Sequence, residues 1–392
     1  AIAALRRASN EAQQAALTEG PATSRRRLAA LERDVVRLSR RSAGGAWGVP
    51  SRPAHVAELV EALDDAVLVE LLAVDGSLYA VSLPGAQVGA GGARLHHLGR
   101  LSDVQDALEH LQFALARMAT GRGSQRALVA ARDSAHDSAR RLDALLLEPL
   151  RPRLVGERVV VAPTEALHAV PWSLLPSLRS SPVHVVRSGS AWVAATRHRE
   201  RARGQNDAHE ASVTGPGVTL APRPGRAAAT GERRRGHVVL DGGDATVQRA
   251  LEALDGASTA HVAAHGTFRS DNPLLSSLQL ADGQLTVYDL EALRRPPGLV
   301  VLAACHSAAA QVLPGNQLLG VAHALLSFGA GGVVATTLPT PDRETAVLMD
   351  ALHAGLGSGL DAGAALHRAR GSLDLREPAG LATSAGFELY GC

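Results

Sequence analysis

The sequence predicts an α/β protein, a three-layer sandwich in which helices cover both faces of a largely parallel sheet. Short, continuously apolar segments alternate with helical segments through most of the 392 residues. That alternation is typical of strands that are buried on both faces. Apolar residues make up 46% of the chain and aromatic residues only 3%, so the core must be filled mainly by aliphatic side chains. At this length, two domains or two fused halves are expected.

Residues 1–45 are predicted to form a helical extension. Within 28–38 (LAALERDVVRL) the apolar residues recur three and four positions apart, which gives a helix one apolar face. Two alternatives stay open: the extension packs on the following domain, or it is the end of a repeat array. Because the sequence begins with Ala1, it is expected to be part of a longer chain. Residues 42–53 are rich in Gly, Ser and Pro and are predicted to be a linker.

The region 55–200 is predicted to begin with a β-hairpin. Asp75-Gly76 stands between two apolar segments, 66–74 and 77–83, and Asp-Gly supplies the two positive-φ residues of a tight hairpin turn. The elements predicted after it are helices at 101–120 and 124–150, a strand at 158–163, a helix at 165–176 and a strand at 183–186.

The region 204–392 is predicted to repeat the alternation of strands and helices. The segment 201–237 combines Pro, Gly and clustered Arg with little apolar periodicity, which is typical of an exposed loop. The strands predicted after it are 238–240, 259–265, 299–305 and 332–337, and the helices are 244–254, 318–328 and 343–356.

Two of these predicted strands end in reactive side chains, His265 and Cys305. Ligands of doubly wound sheets bind outside the carboxyl ends of the strands, where a His and a Cys can face each other. A neighbouring imidazole can convert the thiol into a reactive thiolate near neutral pH. The N–H groups of Gly266 and Cys305 are the expected donors to a developing oxyanion. A single Cys or His at a strand end is usually a packing residue. A His and a Cys at equivalent strand ends instead favour the interpretation as a nucleophile and its base.

Six separated segments have a distinctive sequence: 262–278 (VAAHGTFRSDNPLLSSL), 299–307 (LVVLAACHS), 315–320 (GNQLLG), 386–391 (GFELYG), 163–176 (PTEALHAVPWSLLP) and 188–192 (SGSAW). Together they resemble the CHAT domain, a caspase-like family of clan CD cysteine peptidases that is often fused to TPR repeats. The resemblance covers about 145–392 and implies a caspase-like fold. In that fold, 55–200 is a degenerate caspase-like half and 204–392 is the catalytic half.

The resemblance implies a cysteine endopeptidase that cleaves protein or peptide substrates through a thioester acyl-enzyme. His265 is then the general base and Cys305 the nucleophile, under the control of an upstream TPR or sensor region. Two alternatives stay open: a catalytically silent module that keeps the fold for protein interaction, and a different cysteine hydrolase that acts on small amides.

The substrate pocket is less well specified by the resemblance than the dyad. Relatives such as metacaspases carry an Asp two residues before the nucleophile, where it binds a basic P1 side chain. Ala303 occupies that position here, so this position supports no preference for Arg or Lys at P1. The candidate pocket residues are Asp271, Asp282, Ala303 and His306.

Composition argues against several other classes of protein. A net charge of +2 gives no strong field for nucleic acid, and no apolar run reaches the roughly 18 residues of a membrane span. Two cysteines cannot form a disulfide framework, which agrees with a reducing, cytoplasmic compartment. No Cys/His spacing or phosphate-binding motif predicts a metal or a cofactor. The basic residues are all Arg, and Ala and Gly are abundant, as in proteins of high-GC bacteria.

Overall fold

The computed structural model describes residues 53–88, 92–154, 158–203, 209–218, 236–267, 276–303 and 319–392. The predicted helical extension, residues 1–45, lies outside these ranges. The helices are α1 (Val56–Leu63), α2 (Leu101–Thr120), α3 (Gln125–Leu146), α4 (Gly189–Arg203), α5 (Val247–Leu254), α6 (Val287–Leu290), α7 (Leu319–Ser327), α8 (Asp342–Gly357), α9 (Ala362–Arg370) and α10 (Pro378–Gly386). The strands are β1 (Ala66–Val74), β2 (Ser77–Pro84), β3 (Arg94–Arg100), β4 (Arg158–Ala162), β5 (Val183–Val185), β6 (Glu210–Thr214), β7 (His237–Leu240), β8 (Thr259–Ala263), β9 (Gly266–Thr267), β10 (Ser277–Leu280), β11 (Gly283–Thr286), β12 (Leu299–Leu302), β13 (Gly332–Thr336) and β14 (Phe387–Gly391).

Within the described residues, eleven strands form one sheet in the order β3-β2-β1-β4-β5-β14-β13-β12-β8-β6-β7. Strands β1, β4, β5 and β14 run parallel to one another. Strands β13, β12, β8, β6 and β7 run parallel in the opposite direction, and the two groups meet at the antiparallel pair β14–β13. The predicted largely parallel sheet is therefore confirmed. The proposed halves 55–200 and 204–392 share this sheet, and their boundary stays a prediction.

Helices cover both faces of the sheet, as the sequence predicts. On one face, α2, α3, α5, α7 and α10 pack into the largest apolar cluster. On the other face, α8 and α9 cover the strands of the second group, while α1 and α4 cover β1, β2 and β4. Buried aliphatic side chains dominate all three clusters, in agreement with the low aromatic content.

The predicted hairpin is confirmed, and a third strand extends it. Asp75 and Gly76 have φ values of 49° and 75°, and Val74 is paired with Ser77 on either side of the turn. Strand β3 pairs with β2 and was not predicted from the sequence. Its segment, 94–100 (RLHHLGR), is mostly polar, and only Leu98 of it is buried.

Some predicted elements differ from the observed ones. The helix predicted at 165–176 is replaced by three short 3₁₀ turns, Glu165–Ala169, Trp172–Leu174 and Pro176–Leu178, because the prolines in this segment cannot donate helical hydrogen bonds. Strand β8 ends at Ala263 and β12 at Leu302, two and three residues earlier than predicted. The helix predicted as the last element is α8, but α9, α10 and β14 follow it.

A buried polar network, formed by Ser173, Arg370 and Glu388, holds the amino end of β14. Glu388 is 1% exposed, and its Oε1 accepts hydrogen bonds from Ser173 N at 3.0 Å and Ser173 Oγ at 2.8 Å. Arg370 Nη2 donates to Glu388 Oε2 at 3.0 Å and to the carbonyl of Phe387 at 2.6 Å. Burial raises the pKa of Glu388 and lowers that of Arg370, while each of the two charges opposes the shift of the other. The network therefore joins two segments that are 215 residues apart.

Replacing Arg370 by Met should destabilise the fold strongly. Glu388 would lose its buried counter-charge, and breaking a buried pair in this way costs about 3–5 kcal/mol. The double variant Arg370→Met/Glu388→Leu should recover most of that loss, because no buried charge remains. The measurement is the free energy of unfolding from urea titration. Equal losses in the single and double variants would contradict the assigned role of the pair.

A buried histidine pair lies on the α8 face of the sheet. His261 Nδ1 and His353 Nε2 are 2.9 Å apart, so one ring donates a hydrogen bond and the other accepts it. Burial lowers the pKa of His261 well below 6.5, and the nearby His353 adds to this effect. Burial likewise lowers the pKa of His353 to about 4, with a smaller contribution from His237. Both imidazoles are therefore neutral in the folded protein near neutral pH.

Folding stability should fall as the pH drops from 7 towards 4. The unfolded chain takes up protons on these histidines near pH 6.5, whereas folded His353 does so only near pH 4. Each such histidine contributes a slope of up to about 1.4 kcal/mol per pH unit in that window. The variant His353→Gln keeps a hydrogen-bonding side chain without a titrating group. Its unfolding free energy, measured between pH 4.5 and 7, should depend less steeply on pH than that of the wild type. Identical slopes would refute this assignment.

Candidate active site

His265 lies just beyond the carboxyl end of β8, at the edge of the sheet where the second group of parallel strands ends. It is half-buried, and its carbonyl accepts a hydrogen bond from Gln279 N at 2.8 Å. A Cβ atom placed on Gly217 would lie 3.5 Å from His265 Nε2, so the turn after β6 lies against the imidazole. This turn needs Gly217 for its conformation, since φ there is +75°.

The register of β8 and β12 aligns the two predicted dyad positions. Leu302 is paired with Val262, so His265 and Cys305 each lie three residues beyond a paired position. Ala303 N still donates to the carbonyl of Val262 at 3.0 Å, which continues the alignment one residue past β12. Cys305 itself lies outside the described residues, as do Asp271 and His306.

The backbone N–H of Gly266 faces away from the small sheet in which its strand lies. Strand β9 pairs antiparallel with β10, and Gly266 is opposite Leu278. The hydrogen bond from Gln279 N to His265 O makes Gly266 and Leu278 a pair without mutual hydrogen bonds, because such bonds alternate along an antiparallel ladder. The Gly266 amide is therefore not used by β10.

Two further candidate residues have clear structural contacts. Asp282 is exposed in the turn between β10 and β11, and its Oδ1 accepts a hydrogen bond from Val247 N at 2.7 Å, at the start of α5. Ala303 is 3% exposed and belongs to the apolar cluster under α8 and α9. Asp282 thus caps a helix and Ala303 packs in the core; their role beside a substrate stays a prediction.

The corner where β13 meets β14 lies at the same edge as His265. Thr336 is paired with Phe387, and Thr337 N donates to the carbonyl of Gly386 at 3.0 Å. The Ser173–Arg370–Glu388 network holds the first two residues of β14, Phe387 and Glu388, at this corner. Sequence reasoning missed Arg370 and the partners of Glu388, and the signal available was that Ser173 and Glu388 both lie in segments typical of the resembled family.

The described residues contain no group of three or more His, Cys, Asp or Glu side chains that could hold a metal ion. None of the described helices combines the length and the apolar character that crossing a bilayer requires.

Solved structures with a similar fold include separase from Saccharomyces cerevisiae in its complex with securin. One such structure has a TM-score of 0.55 and 11% sequence identity, and the match covers 86% of this chain and 31% of that chain. A second structure of the complex has a TM-score of 0.55 and 12% identity and covers 86% and 30%. The Arg-specific cysteine proteinase gingipain R has a TM-score of 0.38 and 11% identity, with 73% and 74% covered. The chain thus spans about a third of the separase chain, with which it shares a caspase-like α/β fold.

No curated protein matches the sequence of this chain. The model of the CHAT domain family matches residues 136–379, which is more than half of the chain and includes both predicted dyad positions. The strand order and the helical layers agree with the fold that the resemblance implies. The chain therefore belongs to the CHAT domain family.

Proposed function

We propose that the protein is a cysteine endopeptidase in which His265 and Cys305 form the catalytic dyad. The observation that carries this proposal is the register of β8 and β12. It aligns Val262 with Leu302, and both proposed catalytic residues follow three positions later. Neighbouring parallel strands lie about 4.8 Å apart, a spacing that suits proton transfer between side chains at matched positions.

In the proposed reaction, the His265 imidazole takes the proton of the Cys305 thiol. The thiolate attacks the scissile carbonyl, the amine leaves with that proton, and water hydrolyses the thioester. His265 suits the role of base because it lies beyond the strand end and is only half-buried. In contrast, His261 is buried and neutral, and its imidazole is hydrogen-bonded to that of His353.

The developing oxyanion would be stabilised by the amides of Gly266 and Cys305. Support for the first donor comes from the pairing of β9, which leaves the Gly266 N–H on the side away from β10. A protein substrate is proposed from membership in the CHAT family. No basic P1 preference is proposed, because Ala303 lacks a carboxylate and is buried.

The pH profile of Cys305 alkylation should reveal the dyad without knowledge of the substrate. A thiol paired with His265 should react with iodoacetamide well below pH 7, since the positively charged imidazolium stabilises the thiolate. In His265→Ala the profile should move towards that of an ordinary thiol, with a midpoint at about pH 8.5. Mass spectrometry of the Cys305 peptide gives the rate, and the buried Cys392 is the internal control. Identical profiles for the wild type and His265→Ala would contradict the proposed dyad.

Proteolysis itself can be tested by N-terminal proteomics on a lysate treated with the full chain. New N-termini should appear with the wild type and be absent with Cys305→Ala and His265→Ala. If both of these variants generate the same termini as the wild type, the proposed function fails. If none of the three proteins cleaves although Cys305 is activated, a silent interaction module or a hydrolase of small amides becomes the better description.

Asp282→Ala should lower the free energy of unfolding by about 1 kcal/mol, the usual effect of losing a helix cap. Its carboxylate would no longer accept the hydrogen bond from Val247 N at the start of α5. Glu252→Ala, an exposed position on the same helix, is the control and should change stability little. On a cleaved peptide identified by the proteomics, a large rise in KM would support the predicted place of Asp282 beside the substrate. An unchanged kcat/KM would leave Asp282 with the capping contact alone.

A further inference from the structure

Strands β1, β2 and β3, at one end of the eleven-stranded sheet, present an apolar face that no described helix covers. We call it the hairpin face and define it by Leu72, Val74, Tyr79, Val81 and Leu95. Leu72 lies opposite Tyr79 on β2, and Val81 lies opposite Leu95 on β3. Residues opposite each other on antiparallel strands share a face, so these side chains lie on one surface, on which the ring of Tyr79 also contacts that of His97, 5.1 Å away between centroids.

Burial along β1 shows where the helical layer ends. On this face Leu68 is 2% exposed, Leu72 is 36% exposed and Val74 is 53% exposed, and Leu95 on β3 reaches 66%. The opposite face of β1 stays covered, because Leu71 is 4% exposed and belongs to the cluster under α2 and α3. The exposure is thus confined to the side that α1 and α4 cover only in part.

The chain enters the described structure beside the hairpin face. Ala54 N donates to Ser190 Oγ at 2.9 Å, and the neighbouring Gly189 donates its backbone hydrogen bond to Glu70. Glu70 lies on the same face of β1 as Leu68 and Leu72, midway between them. The first described residues, 53 and 54, therefore lie near the border between the covered and the uncovered part of this face.

The sequence before that point contains an apolar stripe of suitable size. Leu28, Leu31, Val35 and Leu38 are spaced three, four and three residues apart, as on one side of a helix. An 11-residue helix is about 16 Å long and about 10 Å wide, while three strands span about 10 Å. Residues 39–52 can reach up to about 46 Å when extended, far more than the docking requires.

We propose that the apolar stripe of residues 28–38 docks on the hairpin face and completes the helical layer beside α1. Burial of four aliphatic side chains against five apolar ones is the driving force. The occupant is this chain rather than a second copy, because a short tether raises the local concentration of the stripe far above that of a free partner. This docking does not depend on the proposed peptidase activity.

The test is the rate of maleimide labelling at single introduced cysteines in the full chain carrying Cys305→Ala, followed by mass spectrometry of the peptide that contains the introduced cysteine, so that the native Cys392 is counted separately. Leu95→Cys probes the hairpin face, and Phe113→Cys, 70% exposed on α2, probes a free surface. Leu95→Cys should react at least about tenfold more slowly than Phe113→Cys, because labelling requires the stripe to undock. Leu31→Asp/Val35→Asp in the same background should restore fast labelling, whereas Arg33→Ala/Arg37→Ala, on the side opposite the stripe, should not.

The alternatives give different results in the same assay. Fast labelling of Leu95→Cys in the otherwise unchanged chain would overturn the proposal, since the face is then open. Protection that grows with protein concentration would assign the face to a second copy and would equally overturn it. Direct evidence comes from Val35→Cys/Leu95→Cys, which should form an intramolecular disulfide under mild oxidation. Val35→Cys/Phe113→Cys is the matched control and should remain reduced.

Discussion

The antiparallel pairing of β14 with β13 is the constraint on which the rest of the architecture depends. It joins two groups of parallel strands that run in opposite directions, so each group has its carboxyl ends at a different edge of the sheet. The join is tight, because a Cβ on Gly332 would lie 2.7 Å from the carbonyl of Cys392. The buried Glu388 fixes its other end through Ser173 and Arg370. The edge with His265 is therefore defined by how β14 is held.

Features that depend on local sequence could be predicted, and those that depend on distant partners could not. The Asp75-Gly76 turn, α2 and α3 follow from turn chemistry and helical periodicity, and they agree with the structure within a few residues. Strand β3 was not predicted because an edge strand needs few apolar residues. The 3₁₀ turns were not predicted because apolar periodicity alone does not include the effect of proline on helical hydrogen bonds. The insertion of β14 between β5 and β13 has no local sequence signal, because it depends on which distant strands are available for pairing.

The candidate site shows the same division. His265 and Cys305 could be singled out because each follows a buried-type strand, and the register of β8 and β12 supports placing them at matched positions. The capping contact of Asp282 with Val247 joins a turn to a helix 35 residues away, which spacing alone does not reveal. The pairing of His261 with His353 likewise spans 92 residues. Sequence therefore identifies chemistry at strand ends better than it identifies which polar side chains support the fold.

The central place of β14 has a consequence for how the chain folds during synthesis. Strands β5 and β13 are both made before β14, yet each needs β14 as a neighbour. Until residues 387–391 leave the ribosome, both strands keep an open edge of unpaired backbone groups, the kind of edge that invites mispairing. The two strand groups can form early by local pairing, but they can join only when this late strand fills the gap. The finished sheet therefore cannot assemble before β14 has been synthesised.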